Sequence, residues 1–75
     1  MARRSQQLVI CIENKDYEAS LEKRKVYLSL RDEEAEGHGL LRVIDESGED
    51  YLFPAKFFRQ IELPQAVKRA VLAAV

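Results

Sequence analysis

Leu40-Leu41-Arg42-Val43-Ile44-Asp45-Glu46-Ser47-Gly48-Glu49-Asp50-Tyr51-Leu52-Phe53-Pro54 is the stretch that decides the fold. From Leu40 to Asp45, Leu41 and Val43 alternate with Leu40, Arg42 and Ile44, the period-two pattern of a strand with one face turned inward. Glu46-Ser47-Gly48-Glu49 is a tight turn, and Asp50 to Phe53 returns as a second strand, so the stretch predicts a β-hairpin. Pro54 ends that strand because it has no N–H to give to a ladder. The four residues from Pro54 to Phe57 have the length of one tight turn, after which Phe58 to Glu62 reads as a further strand.

Toward the N-terminus, Val26, Leu28 and Leu30 alternate with Tyr27, Ser29 and Arg31 in another strand. Asp32 follows it and is placed to cap a single helical turn that Gly37 closes. From Gln7 to Glu13, Leu8, Ile10 and Ile12 form a fully apolar face and alternate with Gln7, Val9 and Cys11 in the first strand. Asn14-Lys15-Asp16 breaks that strand. Tyr17 and Leu21, four apart, suit either one helical turn or an irregular loop anchored on the core, and the loop is the preferred reading. At the other end Pro64 suits the start of a helix, with Val67, Ala70, Val71 and Ala74 at helical spacing and Lys68 and Arg69 on the opposite face. The expectation is a mainly β domain over residues 8–75, following a flexible arm over residues 1–7. Five antiparallel strands form a small barrel or two packed hairpin sheets, with a short C-terminal helix from about residue 64.

Composition narrows the class. The 75 residues suffice for one small domain, which buries only about 60% of the surface of its unfolded chain. With 47% hydrophobic residues, two prolines and three glycines, the chain is expected to fold rather than serve as a linker. Its net charge of -1 lacks the bulk positive field of a typical nucleic-acid binder. The charge is nonetheless uneven: Asp32 to Asp50 holds eight acids and one base, and the remainder eleven bases and five acids. Solvated loops and hairpin tips are the preferred account of that asymmetry over an acidic and a basic side. The single cysteine, Cys11, allows no intramolecular disulfide and no multi-cysteine zinc site, which fits a reducing cytoplasm. The apolar run Leu8 to Ile12 is too short for an export signal. The charge-free stretch Ala70 to Val75 falls far short of the roughly twenty residues of a membrane span. The expectation is therefore a soluble, cytoplasmic protein with no membrane partner.

The order strand, long loop, strand, loop, tight hairpin, Pro-started turn and short last strand resembles the Src-homology-3-like (SH3-like) barrel. Asp16-Tyr17-Glu18-Ala19 looks like the end of that family's Ala-Leu-Tyr-Asp-Tyr signature, and Lys25-Val26-Tyr27-Leu28-Ser29-Leu30 looks like its second strand. Pro54-Ala55-Lys56-Phe57-Phe58 is similar to its Pro-x-x-Tyr-hydrophobic turn. Together these motifs span Leu8 to Leu63, and the chain also looks like short uncharacterised bacterial proteins that carry a lone barrel of this type. The resemblance implies a protein-binding face without implying any activity. Peptide-binding members grip a Pro-rich ligand on aromatics that include a Trp at the start of the third strand. This chain has no Trp, carries Leu40 and Leu41 at that place, and has a shorter loop between Ile12 and Val26.

The candidate partner-binding residues are accordingly Tyr17, Phe57 and Leu40, with Glu33 and Glu34 of the acidic segment. Core packing competes with ligand contact for Tyr17 and Phe57 and is the preferred role for both, because a small barrel has few large residues to fill itself. The alternative is a small nucleic-acid-binding protein that uses Arg3, Arg4, Lys23, Arg24 and Lys25 against phosphates. Catalysis is the least supported class, and no cofactor is expected. His38 between two glycines reads as an exposed loop residue, and Cys11 as a small buried hydrophobe. Asp45, Glu46, Glu49 and Asp50 surround one turn without calcium-loop spacing and read as a solvated hairpin tip, so no metal site is assigned. The apolar C-terminal helix either caps the open end of the barrel, the preferred reading, or makes a weak homodimer.

Overall fold

The computed structural model of the chain describes residues 6–74. Five antiparallel strands form one sheet: β1 Gln6–Cys11, β2 Val26–Leu30, β3 Leu40–Ile44, β4 Asp50–Pro54 and β5 Phe58–Gln60. Their spatial order is β4-β3-β2-β1-β5. The sheet is thus mainly a meander, with β5 returning to pair beside β1. Leu41 opposes Phe53 and Val43 opposes Tyr51 across the hairpin, while Cys11 opposes Phe58 at the other end. Strands β4 and β5 are the two edges and are not hydrogen-bonded to each other. A 3-10 turn over Ala55–Phe57 joins them, and the Phe53 and Phe58 rings meet at 6.3 Å.

The core is the inner face of this sheet together with residues from the turns: Val9, Cys11, Tyr27, Val43, Phe53 and Phe58, closed by Leu21 and Phe57. Leu21, Val43 and Cys11 are fully buried. The alternation in the first strand leaves open which face turns inward, and Leu8, Val9 and Cys11 are all buried. Val9 and Cys11, not Leu8, Ile10 and Ile12, belong to the core cluster, and Ile12 is 42% exposed. Both faces of this strand are apolar, so alternation alone does not choose between them. Pairing with β5 chooses, by setting Cys11 opposite the buried Phe58. Strand β1 also takes Gln6 and Gln7, residues expected in the N-terminal arm, by pairing them with Leu30 and Ser29. The rest of that arm lies outside the described residues.

Between β2 and β3 lies α1, Glu33–Gly37, which packs on β3 through the buried Ala35. Asp32 caps it as expected, accepting from the Ala35 N–H at 3.1 Å, while Glu36 accepts from the Asp32 N–H. Gly37 is the last helical residue and does not close the turn. Gly39 is the residue in the left-handed region, at φ +75°, because the chain reverses only after His38. Neither glycine has atoms near an added Cβ, so only the backbone decides the effect of substitution. Gly37→Ala is expected to stabilise the domain by about 0.5 kcal/mol and Gly39→Ala to destabilise it by about 1 kcal/mol. Urea midpoints of the two variants are expected to move in opposite directions.

The C-terminal helix, α2, spans Gln65–Ala74, with the Lys68 N–H bonded to the Pro64 carbonyl at 2.9 Å. Its expected capping role is not seen among the described residues. Lys68, Val71 and Leu72 are half-buried, none of its residues with described burial is fully buried, and Val67 is 46% exposed. Its apolar stripe lies along the periphery of the domain, outside the core cluster. No helix among the described residues is long and apolar enough to cross a membrane.

Candidate functional site

The residues from Ile12 to Lys25 form an irregular loop that holds its shape through backbone and side-chain hydrogen bonds. The Ile12 N–H donates to the Phe57 carbonyl at 2.7 Å, and the Arg24 N–H donates to the Cys11 carbonyl at 2.7 Å. Glu13 Oε1 accepts from the N–H groups of Asn14 and Lys15, and Asn14 Nδ2 donates to the Leu21 carbonyl at 2.9 Å. Asp16 adopts φ +71°, a conformation Asp tolerates better than most residues, and this reverses the chain just before Tyr17. Leu21 then plugs the loop into the core. The Glu46 N–H donates to the Ser20 carbonyl at 3.2 Å, which ties the loop to the β3–β4 turn.

Tyr17 is therefore a rigidly mounted side chain. Its ring stands edge-on to Phe53 at 5.4 Å and 79°, and to Phe57 at 5.8 Å and 74°, while 38% of the residue stays exposed. An open trough of about 480 Å³ runs along one side of it, between Tyr17, Pro54 and Phe57, with Glu13, Lys15, Asp16 and Lys56 around the rim. A second trough of about 330 Å³ also borders Tyr17 and is lined by Phe53 and Tyr51. Of the expected partner-binding residues, the structure brings Tyr17 and Phe57 together. Phe57 is only 7% exposed and belongs to the core cluster, so it presents an edge to the trough while filling the interior. Leu40 lies opposite Pro54 in the β3–β4 register and does not line the trough. Glu33 and Glu34 are exposed on α1 and do not line it either.

The sequence reading missed the rim residues Glu13, Lys15 and Lys56, and it missed Tyr51, which is 49% exposed. Tyr51 alternates in register with Phe53, so the strand pattern already placed it on the same side as the core. Its place at the end of an edge strand leaves it exposed there.

The acidic segment resolves into separate pairs. Asp45 Oδ1 accepts from the N–H and hydroxyl of Ser47, Glu49 accepts from the Tyr51 hydroxyl, and Asp50 accepts from Arg42. Arg42 also pairs with Asp32 at 3.0 Å. Glu46 accepts from the Tyr27 hydroxyl at 2.5 Å and pairs with Lys25 at 2.6 Å. The four carboxylates around the turn thus turn to different partners instead of one point. Of the expected phosphate-binding bases, Lys25 is taken up by Glu46, Arg24 sits at φ +70° with its N–H bonded to Cys11, and Lys23 is exposed. Arg3 and Arg4 lie outside the described residues. The Cys11 thiol donates to the Glu13 carbonyl at 3.1 Å, and burial pushes its pKa up, the setting of a packing residue. His38 is exposed at the end of α1.

The bonds from Lys25 and then Tyr27 hold the Glu46 carboxyl below its ordinary value of 4.5. A carboxyl with a lowered folded pKa adds stability above its unfolded pKa and loses it as pH falls through the folded value. Burial, followed by the bond to Glu46, pushes the Tyr27 hydroxyl above its ordinary 10.0, so that contribution is full below pH 10 and is lost as pH rises beyond it. Thermal midpoints are expected to be level between these limits and to fall on both sides. Glu46→Gln is expected to flatten the acid limb, which a series of melting curves against pH checks.

No protein-family model, curated protein or solved structure matches this chain.

Proposed function

We propose that the chain is a non-enzymatic protein-interaction module, built as an SH3-like small barrel, that takes a segment of a partner protein along the trough beside Tyr17. The observation that carries this reading is an exposed tyrosine braced edge-on by two buried phenylalanines next to a proline. A ring already fixed in place loses little side-chain freedom when a partner covers it, so more of its buried area becomes affinity. The barrel assignment is supported by the order of elements along the chain, including the 3-10 turn that starts after Pro54, and by the Phe53–Phe58 contact between the two edge strands. The pairing of Lys25 with Glu46 leaves less positive charge for a phosphate backbone, which favours a protein partner over a nucleic acid.

Capture from the native lysate by the tagged protein tests the reading, with and without nuclease, at low and moderate salt. A protein partner retained through nuclease and moderate salt is the expected result, because apolar contact responds little to screening. Loss of all bound material on either treatment supports the nucleic-acid alternative, whose affinity falls steeply with salt.

A further inference from the structure

The second trough, bordered by Tyr17 but not by Pro54, has a composition of its own. Three aromatic residues form it: Tyr17 and Phe53, whose rings stand 79° apart, and Tyr51. Its lining contains no Lys or Arg among the described residues, whereas Lys15 and Lys56 border the first trough. Asp45 completes the wall and is itself 8% exposed. Both hydrogen bonds that Asp45 accepts from Ser47 fall on Oδ1, so Oδ2 accepts none among the described residues. Glu49 stands at the tip of the Tyr51 ring, where it accepts from the hydroxyl at 2.9 Å. Neither Asp45 nor Glu49 forms an ion pair among the described residues, in contrast to Glu46 and Asp50, which are neutralised by Lys25 and Arg42.

We propose that the trough between Tyr17 and Tyr51 receives the ammonium group of a lysine side chain from the partner protein. The inference rests on the reading of the chain as a protein-interaction module and names the chemistry of its ligand. Aromatic faces attract a cation through their quadrupole, and the apolar walls suit the four-carbon stem of lysine. The carboxylates without a counter-cation supply the complementary charge. Lysine fits better than arginine because one free oxygen of Asp45 serves a compact point charge, whereas a guanidinium fork engages a carboxylate through both oxygens.

The test is a titration of isotope-labelled full chain, followed by amide NMR, with the methylamides of acetylated lysine, arginine and norleucine as probes. The lysine probe is expected to produce saturable shifts at Ser20, Ser47 and Tyr51, with the arginine probe weaker and the uncharged norleucine probe without effect. Tyr51→Leu is expected to weaken lysine binding by roughly threefold or more, and Tyr51→Phe, which keeps the ring, to bind as the wild type does. Because Tyr51 is half-exposed, both variants are expected to keep the remaining spectrum unchanged. Absence of saturable shifts at these residues, equal shifts from norleucine, tighter binding of arginine, or unchanged binding by Tyr51→Leu would overturn the assignment. Shifts confined to the Pro54 and Phe57 side would also overturn it while leaving the protein-interaction reading in place, and that reading has its own test in the capture experiment.

Discussion

Phe53→Ala is expected to lower the unfolding free energy by about 3–5 kcal/mol, the usual range for removing a buried aromatic ring. Phe53 is 3% exposed and touches both Tyr17 and Phe58, so its ring joins the first loop, β4 and the returning strand β5. Strands β4 and β5 share no backbone hydrogen bonds, and the Phe53–Phe58 ring contact packs the two edges together across the short turn that joins them. At about 0.05–0.15 kcal/mol per residue, a domain of 75 residues has roughly 4–11 kcal/mol of stability, so the substitution removes a large share of it. A urea melt is expected to show either a large fall in midpoint or a chain unfolded without denaturant. Tyr51→Ala, on the same strand but 49% exposed, is expected to change stability by less than about 1 kcal/mol. Similar midpoints for the two variants would contradict this account of the core.

Leu21→Ala is expected to cost about 2–5 kcal/mol although Leu21 lies in a loop, where substitutions are ordinarily tolerated. Leu21 is fully buried, its N–H donates to the Tyr17 carbonyl, and its own carbonyl accepts from Asn14 Nδ2. The site around Tyr17 is thus mounted on a core residue four positions further along. The variant is expected to lose order around Tyr17 as well as global stability, visible as faster hydrogen exchange of the Tyr17 and Ser20 amides. Protection equal to the wild type at those amides would contradict the anchoring role.

The hairpin from Leu40 to Pro54 was legible in the sequence because alternation, turn chemistry and proline all point the same way there. Leu21 was legible through two alternatives, and the structure combines them: it is buried in the core from an irregular loop, and its N–H bonds to the Tyr17 carbonyl four positions back, as in one helical turn. The facing of β1 was not legible, because residues on both sides of that strand are apolar and the choice belongs to a partner strand some fifty positions away. The same holds for the site. Tyr17 and Phe57 were found through motifs that resemble a known family, and the contact between them is tertiary. Nothing local marks Lys56 or Tyr51 as neighbours of Tyr17, since each comes from a different element, whereas Glu13 belongs to the same loop as Tyr17. The pairings within the acidic segment were not legible for a related reason: a count of charges along the chain does not show that Glu46 turns to Lys25, or that Asp32 and Asp50 share Arg42.

The most direct test of the central claim is capture from one lysate by wild type and Tyr17→Ala side by side, each first shown to be folded by its melting curve. Tyr17 is 38% exposed, so the variant is expected to remain folded with a lowered midpoint. The wild type is predicted to retain a protein partner through nuclease and moderate salt, and the folded variant to lose it. Equal retention of that partner by both proteins would contradict a binding face centred on Tyr17.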